Sequence, residues 1–559
     1  MGYNGVMATL LLGPLLRHVG DNDATIWVET DAPCLVEVRA GAVVGTEPTF
    51  TAAGHHYAIV VLTGFEPGTT AAYDVRLDGT VVWPPADSAY PPSLIRTIDP
   101  EQPFTLVFGS CRYSTPEAVK DERGYDADVL DAFAVRMAKQ PPEQWPEALL
   151  LLGDQVYADE TSKATQEFIR SRRDVTKAPH LGVADFEEYT RLYYESWSDP
   201  DVRWLLSTLP SSMIFDDHDI RDDWNTSHQW RVEMQATDWW EERVTGGLMS
   251  YWIYQHLGNL SPDALAEDDL YRKVREADDA EHLLREFAQA ADREADGAKG
   301  AQWSYRRDFC RTRLLVIDSR CGRILSDGHH DMLGDAEFSW IEEQVEDGDY
   351  DHLLVGTSLP WLMPRAMHDV ESWDEALVRG ARGPRMAKLG EKMRRGADLE
   401  HWAAFRDSFD RLARLFARIG RGLQGADPPA TICVLSGDVH HAYVAEAAYD
   451  EPVESRIYQL TCSPVHNKVP KVMHWAFRIG WSRLAERITT RLGKHARVAP
   501  MLIHWHRVAG PYFGNELATL TLTDREARLK LEKAPKDNAG AHEAIECVED
   551  MSLTAAPRR

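Results

Sequence analysis

One pattern restricts this chain more than any other. Four times, an apolar run with the length of a buried strand ends abruptly in residues that bind metals or move protons. It is plainest in LLLLGDQVYADE, residues 149–160, where four leucines run into Gly-Asp, a tyrosine and two further acids. LVFGSCRY (106–113) leads to Cys111, and MIFDDHDIRDDWN (213–225) leads to Asp216, Asp217, His218 and Asp219. CVLSGDVHHAYVAE (433–446) leads to Asp438, His440 and His441. TRLLVIDSR (312–320) and HLLVGTS (352–358) are further apolar runs, and helical stretches lie between them. Buried strands alternating with helices predict a sheet covered on both faces. Sites in such sheets form beyond the carboxyl ends of the strands.

A buried carboxylate is costly unless a cation or a donor compensates it. Several of them meeting at one place imply a metal, or else strongly raised pKa values. Each motif alone has a plainer reading: Gly-Asp as a turn, DDHD as a solvated acidic loop, Cys111 as a small buried side chain. The four together, each after an apolar strand, favour the metal. The donors mix carboxylate, imidazole, phenol and thiol, which suits iron or zinc beside a harder ion. Asp438 and His440 are two apart, so extended backbone would point them the same way and His441 elsewhere.

The remainder divides the chain. Residues 10–80 read as short strands, with Tyr73 after the Pro67-Gly68 turn resembling the tyrosine corner of sandwich domains. WPPADSAYPPSLIRTIDPEQP (83–103) is too proline-rich for helix or central strand and reads as a linker. The expected domains are a β-sandwich at 10–98 and a catalytic domain at 103–535. Helical insertions are expected near 161–208, 228–300 and 365–425, with a closing hairpin at 515–534. A length of 559 residues is too great for one compact core.

A net charge of −28 argues against nucleic acid as the main partner, since phosphate contacts need a basic face. Seven scattered cysteines without a CxxC read as a reduced, cytoplasmic inventory. The N-terminus shows neither a twin arginine nor the basic region of a secretory signal. No segment reaches the apolar length of a membrane span.

Together, GSCRY, GDQVYAD, DDHD and SGDVHHA resemble the alkaline phosphatase D (PhoD-like) branch of the metallophosphoesterase superfamily. LGDAEFSWIEEQV (333–345), HWAAFRDSFDRLARLF (401–416) and LTCSP (460–464) support the likeness, which covers about residues 10–532. It implies an α/β four-layer αββα sandwich preceded by a small all-β sandwich of immunoglobulin or fibronectin-III type. It also implies a metal-dependent phosphomonoesterase or phosphodiesterase that activates water at a dinuclear centre. Two ions, Fe(3+) and Ca(2+), are expected, with zinc or manganese as alternatives. By position, Asp154 would bridge the two ions and Tyr157 would bind iron. Cys111 would replace the acid or histidine of the first motif. Asp217 stands where asparagine is usual and would bind the second ion, while Asp438 and His440 would complete the shells. His218 would protonate the leaving group. The superfamily's fourth-motif histidine is not evident; LLVGTSLPW would occupy that strand, with Thr357 or Ser358 at its tip. The exported phosphatase of the family carries a twin-arginine signal, and this chain shows none.

Arg112 and Arg221 flank two of the clusters and are candidates to clamp phosphate; an ordinary ion pair is the plainer role for each. Residues 466–507 are basic and aromatic in an acidic chain. They fit a lid or weak membrane contact, but aromatics at helical spacing favour packing Trp475, Phe477 and Trp481 on the core. The partner expected is a small phosphoester. A catalytically silent metal-containing binding protein is the alternative, and hydrolysis of a non-phosphate ester is a third reading. His218 weighs against the silent reading, because a structural metal needs no proton donor.

Overall fold

The computed structural model describes residues 7–113, 126–297, 300–326, 329–346, 348–423, 427–467, 471–534 and 545–554. The boundary residue 535 and residues 468–470 of the basic stretch lie outside these. The first nine strands are β1 Leu10–Val19, β2 Asp23–Thr30, β3 Leu35–Ala40, β4 Val43–Pro48, β5 Phe50–Ala52, β6 His55–Thr63, β7 Thr70–Leu77, β8 Thr80–Trp83 and β9 Leu94–Arg96. They form two sheets, β1-β2-β6-β5 and β4-β3-β7-β8, with β9 added to β7. Alternating inward residues such as Val36, Val38, Val60, Leu62, Val75 and Leu77 fill the space between them. The proline-rich linker is therefore interrupted, because residues 94–96 pair antiparallel with β7.

Tyr73 does not make a tyrosine corner. Its hydroxyl donates to the carbonyl of Ser207, 2.6 Å away and 134 residues downstream, so it ties the sandwich to the rest of the chain. Arg17 of β1 does likewise. It is fully buried and donates to the carbonyls of Ser211, Tyr254 and Gln255.

Thirteen further strands follow: β10 Phe104–Gly109, β11 Ala148–Leu152, β12 Ser211–Ile214, β13 Tyr305–Phe309, β14 Thr312–Ile317, β15 His352–Thr357, β16 Thr431–Ser436, β17 Ala442–Tyr449, β18 Arg456–Thr461, β19 Ile503–Tyr512, β20 Glu516–Thr523, β21 Glu526–Lys533 and β22 Glu546–Ser552. One sheet has the order β12-β11-β10-β20-β21-β22 and the other β13-β14-β15-β16-β18-β17-β19. Strands β10, β11 and β12 run parallel, as do β14, β15, β16 and β18, so their carboxyl ends point one way within each sheet. The expected hairpin is β20–β21, paired in full register.

The alternation along β15 and β16 builds the layers. Leu354, Cys433 and Leu435 share a core with Leu150 and Leu152 of the other sheet, while Leu353, Val355, Ile432 and Val434 pack among Phe338, Ile341, Leu412 and Phe416. The latter four belong to the helices Asp335–Glu346 and Arg406–Gly420. On the other sheet, the helix Val129–Ala138 supplies Val129, Leu130 and Phe133 to the core shared with Leu106, Leu520 and Leu522. Sheet therefore faces sheet, with helices outside, and strands such as β11 are apolar throughout because both faces are buried.

The segments 161–208, 228–300 and 365–425 contain helices. They include Lys163–Arg172, Phe186–Trp197 and Pro200–Thr208, then His228–Gln235, Trp240–Tyr251 and Glu281–Asp292, then Arg365–Val378 and Pro384–Gly396. The basic stretch forms two helices, Lys471–Gly480 and Arg483–Ala496. Phe477 is buried against the His441 ring, at 4.0 Å, and Trp481 packs on Tyr443. Trp475 does not join them: it is 67 % exposed, so the expectation of a single aromatic core face fails there. Among the described residues no helix is long and apolar enough to cross a membrane.

Candidate metal centre

The loops after β10, β11, β12 and β16 meet. The Cys111 N–H donates to the carbonyl of Gly153, and the Arg112 N–H to that of Asp154, both at 3.1 Å. Asp219 holds two loops at once, its Oδ2 accepting from the N–H groups of Asp154 and Asp216 at 2.9 Å each. The Asp438 N–H reaches Ser110 Oγ at 3.3 Å, joining the two sheets. Asp219 thus supports the site through its backbone bonds.

The glycines of the two Gly-Asp pairs allow this crossing. Gly153 has φ of +101°, and a Cβ there would lie 2.5 Å from Asp216 Cβ. A Cβ on Gly437 would collide with Ser110. Four site residues are also left-handed: Asp154 at φ 53°, Cys111 at 58°, Asp438 at 66° and His440 at 49°. Non-glycine residues visit this region at a cost and mostly where surrounding structure imposes it. Asp438 and His440 therefore converge through a turn, and not through the extended backbone expected from their spacing. His441 points away, with its Nδ1 on the Val439 carbonyl.

Of the six predicted ligands, Asp154 and Asp217 share a cluster of acid oxygens, and Cys111, Tyr157, Asp438 and His440 lie around it. Oxygens of Asp154, Asp216 and Asp217 lie within 4.8 Å of one another, and so do ligand atoms of Asp217, His218 and Asp222. Cys111 Sγ lies 3.9 Å from the Asp438 carbonyl oxygen. The Tyr157 ring packs 4.8 Å from that of His218, and its hydroxyl accepts from Asn467 at 2.8 Å. His440 feels the charges of Asp438 and His218.

Buried Asp154 Oδ1 and Asp216 Oδ2 have no hydrogen-bond partner among the described residues, and Asp217 Oδ1 has the Arg320 guanidinium 3.3 Å away. Burial pushes the Asp154 carboxyl well above its usual range; His218 opposes this, and Asp216, Asp217 and Asp219 push it further. Burial also raises the Cys111 thiol and the Tyr157 phenol, and Asp154 raises both further. Asp438 goes the other way. Burial would raise it, but the His401 bond and the charges of His401 and Arg320 hold it well below the carboxylate range. Burial lowers His440 to about 4, which leaves a neutral imidazole free to ligate. Orphaned acid oxygens beside a thiol, a phenol and a neutral imidazole form a donor set that a cation completes. Cys111, Asp154, Tyr157, Asp217, Asp438 and His440 therefore fit the metal that the motifs imply.

His218 sits at the mouth. Its Nδ1 bonds Asp159 Oδ1 at 2.9 Å, which fixes the ring. It borders a cavity of about 810 Å³ also lined by Arg221, Arg243, Lys388 and Lys392. Arg221 faces this cavity with its guanidinium 5.4 Å from the Trp239 ring centroid. Arg112 does not face it. It is buried and committed to Asp128 at 2.8 Å, Asp131 at 3.3 Å and the Ser196 carbonyl at 2.8 Å, so the phosphate-clamp expectation is corrected to the ion-pair role. Thr357 and Ser358 also have other partners: Thr357 Oγ1 accepts from Trp402, and Ser358 Oγ meets Ser319 Oγ at 2.8 Å.

Sequence reasoning missed two residues. Arg320 follows β14 and is fully buried, bonding Asp216 and Glu400 and lying 3.3 Å from Asp217 and 3.7 Å from Asp438. Its run, LLVIDSR, shows the same strand-then-polar signal, but it carries a cation where the others carry ligands. His401 bonds Asp438 Oδ2 at 3.1 Å and Glu371 at 2.9 Å. It opens HWAAFRDSF, far from any strand end, so strand-end reasoning could not find it.

Residues 124–478 match the family model described as PhoD-like phosphatase, which is more than half the chain. This protein belongs to the PhoD-like phosphatase family. It is a phosphoric ester hydrolase of the metal-dependent kind. Residues 7–95 match a domain of unknown function, DUF7800. Two solved structures share the fold of this PhoD-like chain. One, titled as the structure of PhoD, has a TM-score of 0.58 at 12 % identity, over 99 % of this chain and 91 % of that one. The other is purple acid phosphatase PPD1 from yellow lupin (Lupinus luteus) seeds, with a TM-score of 0.51 at 10 % identity, over 96 % and 73 %. No curated protein matches the sequence.

Proposed function

We propose that this PhoD-like protein hydrolyses small phosphomonoesters or phosphodiesters at a dinuclear centre held by Cys111, Asp154, Tyr157, Asp217, Asp438 and His440. The observation that carries the reading is the trio of buried acids whose oxygens converge within 4.8 Å, with Asp154 Oδ1 and Asp216 Oδ2 lacking a donor among the described residues. A thiol and a phenol favour a ferric ion on one side, and the carboxylates favour a harder ion such as calcium on the other, with zinc or manganese as alternatives. Two cations held there would supply hydroxide at neutral pH and offset the charge of the phosphoryl oxygens.

The chain's own residues do the rest. Asp159 holds the His218 ring through Nδ1, which leaves Nε2 to give its proton to the leaving oxygen. Arg221 orients an anionic substrate in the cavity, and Trp239 restricts where its guanidinium can lie. Arg320 balances Asp216, Asp217 and Asp438 from beneath, so the acids keep their positions as ligands exchange. His401, backed by Glu371, keeps Asp438 ionised.

The test strips the protein with a chelator, restores iron, calcium, zinc or manganese singly and in pairs, and assays a panel of mono- and diesters. A mixed pair should restore the most turnover. Tightly bound metal with no turnover across the panel would favour a silent binding protein, and the cavity beside His218 argues against that outcome.

A further inference from the structure

We propose that the helices Lys471–Gly480 and Arg483–Ala496 form a docking face for an anionic membrane surface. Their inner sides are packed. Phe477 lies on His441, Gly480 faces Pro364 and Met367, and the hydroxyls of Thr489 and Thr490 bond Asp369 at 3.1 and 3.0 Å. Their outer sides are apolar and open. Trp475 and Ile479, one helical turn apart, are 67 % and 56 % exposed; Leu484 and Ile488, one turn apart on the next helix, are 69 % and 52 % exposed. Four large apolar side chains on two consecutive helices form a patch that water alone does not favour.

The charge around the patch names the occupant. Residues 471–497 contain seven lysines and arginines and a single acid, Glu486, in a chain of net charge −28. Arg478, Arg483, Arg487, Arg491 and Lys494 are exposed beside the apolar residues. Apolar side chains flanked by basic ones that reach outward make an interfacial helix, and the basic residues draw it to anionic lipid. A second copy of this chain would set like charge against like charge, so self-association is disfavoured. The docking itself does not depend on the phosphoesterase reading.

Sedimentation of the full chain with phosphatidylcholine vesicles, with and without about one-third phosphatidylserine, tests this at low and high salt. Wild type should sediment with the anionic vesicles only, and salt should release it. Arg483→Gln, Arg487→Gln and Arg491→Gln together should lower partitioning about a hundredfold. Trp475→Ser, Ile479→Ser, Leu484→Ser and Ile488→Ser together should abolish it. Both variants should hydrolyse a soluble chromogenic phosphoester like wild type, which separates docking from folding and chemistry. The proposal is overturned if wild type stays in solution with anionic vesicles, or if the variants sediment equally. It is also overturned if light scattering shows that the patch drives self-association without lipid.

Discussion

Two clusters of buried charge sit on adjoining loops and are built in opposite ways. Around Arg112 each bonding group has a partner: Nε meets Asp128, Nη1 meets the Ser196 carbonyl and Nη2 meets Asp131. Around Asp154 the acids face one another, and Asp154 Oδ1 and Asp216 Oδ2 find no donor among the described residues. Burial is similar in both, so desolvation is not what separates them. The first cluster pairs its charges within the chain, whereas in the second Arg320 alone stands beside Asp216, Asp217 and Asp438, and Asp154 Oδ1 keeps no donor among the described residues. Buried acids with too few partners must be neutralised by protons or by cations.

The two clusters should therefore respond to mutation in opposite directions. Asp154→Asn should lower kcat/KM by about a thousandfold or more, since it removes the proposed bridge between the ions. The metal-free variant should be at least as heat-stable as metal-free wild type, because a buried like charge is gone; a large fall in Tm there would break the contrast. His218→Gln should lower kcat by about 100- to 10,000-fold with metal content unchanged, and the loss should shrink for esters with acidic leaving groups. Elemental analysis beside the assay checks this. Arg112→Gln should leave Asp128 and Asp131 buried without their cation and cost about 3–5 kcal/mol of stability, equally with and without metal. Denaturant titrations in both states read that independence.

The smallest effect lies at the seam between the sandwich and the catalytic unit. Burial would lower the His55 pKa, but bonds to Glu187 at 2.8 Å and Glu29 at 3.1 Å raise it to about 9. A raised folded pKa gives stability that is fully present below about pH 6.5 and is lost as pH rises through about 9. His55→Gln should cost about 1–2 kcal/mol at pH 6, discounted because Glu187 is partly exposed, and almost nothing above pH 9. A pH series of melting curves for both proteins checks the sign.

Much of this was legible because buried parallel strands are apolar throughout. Such runs mark their own ends, and the residues just past them are where a covered sheet opens. Cys111, Asp154, Asp217 and Asp438 stand out for that reason. The periodicity of 161–208 and 228–300 likewise marked the helices, but not how they pack. What stayed hidden depended on contacts between distant segments. Tyr73 sits in a sequence that reads as a corner, yet its hydroxyl bonds Ser207. Arg112 lies beside a ligand in sequence while its side chain points to Asp128. His401 reaches Asp438 from a loop that carries no strand-end mark. Trp475 and Phe477 are two apart on one helix and lie on opposite sides of it, so one is exposed and the other buried.

The most direct check is the metal content of the purified chain, measured beside Asp154→Asn. Two ions per chain in wild type, one of them redox-active, with less than one retained in the variant, is the result predicted here. A wild type that turns over phosphoesters after all metal has been removed, or a variant that keeps both ions, would contradict it.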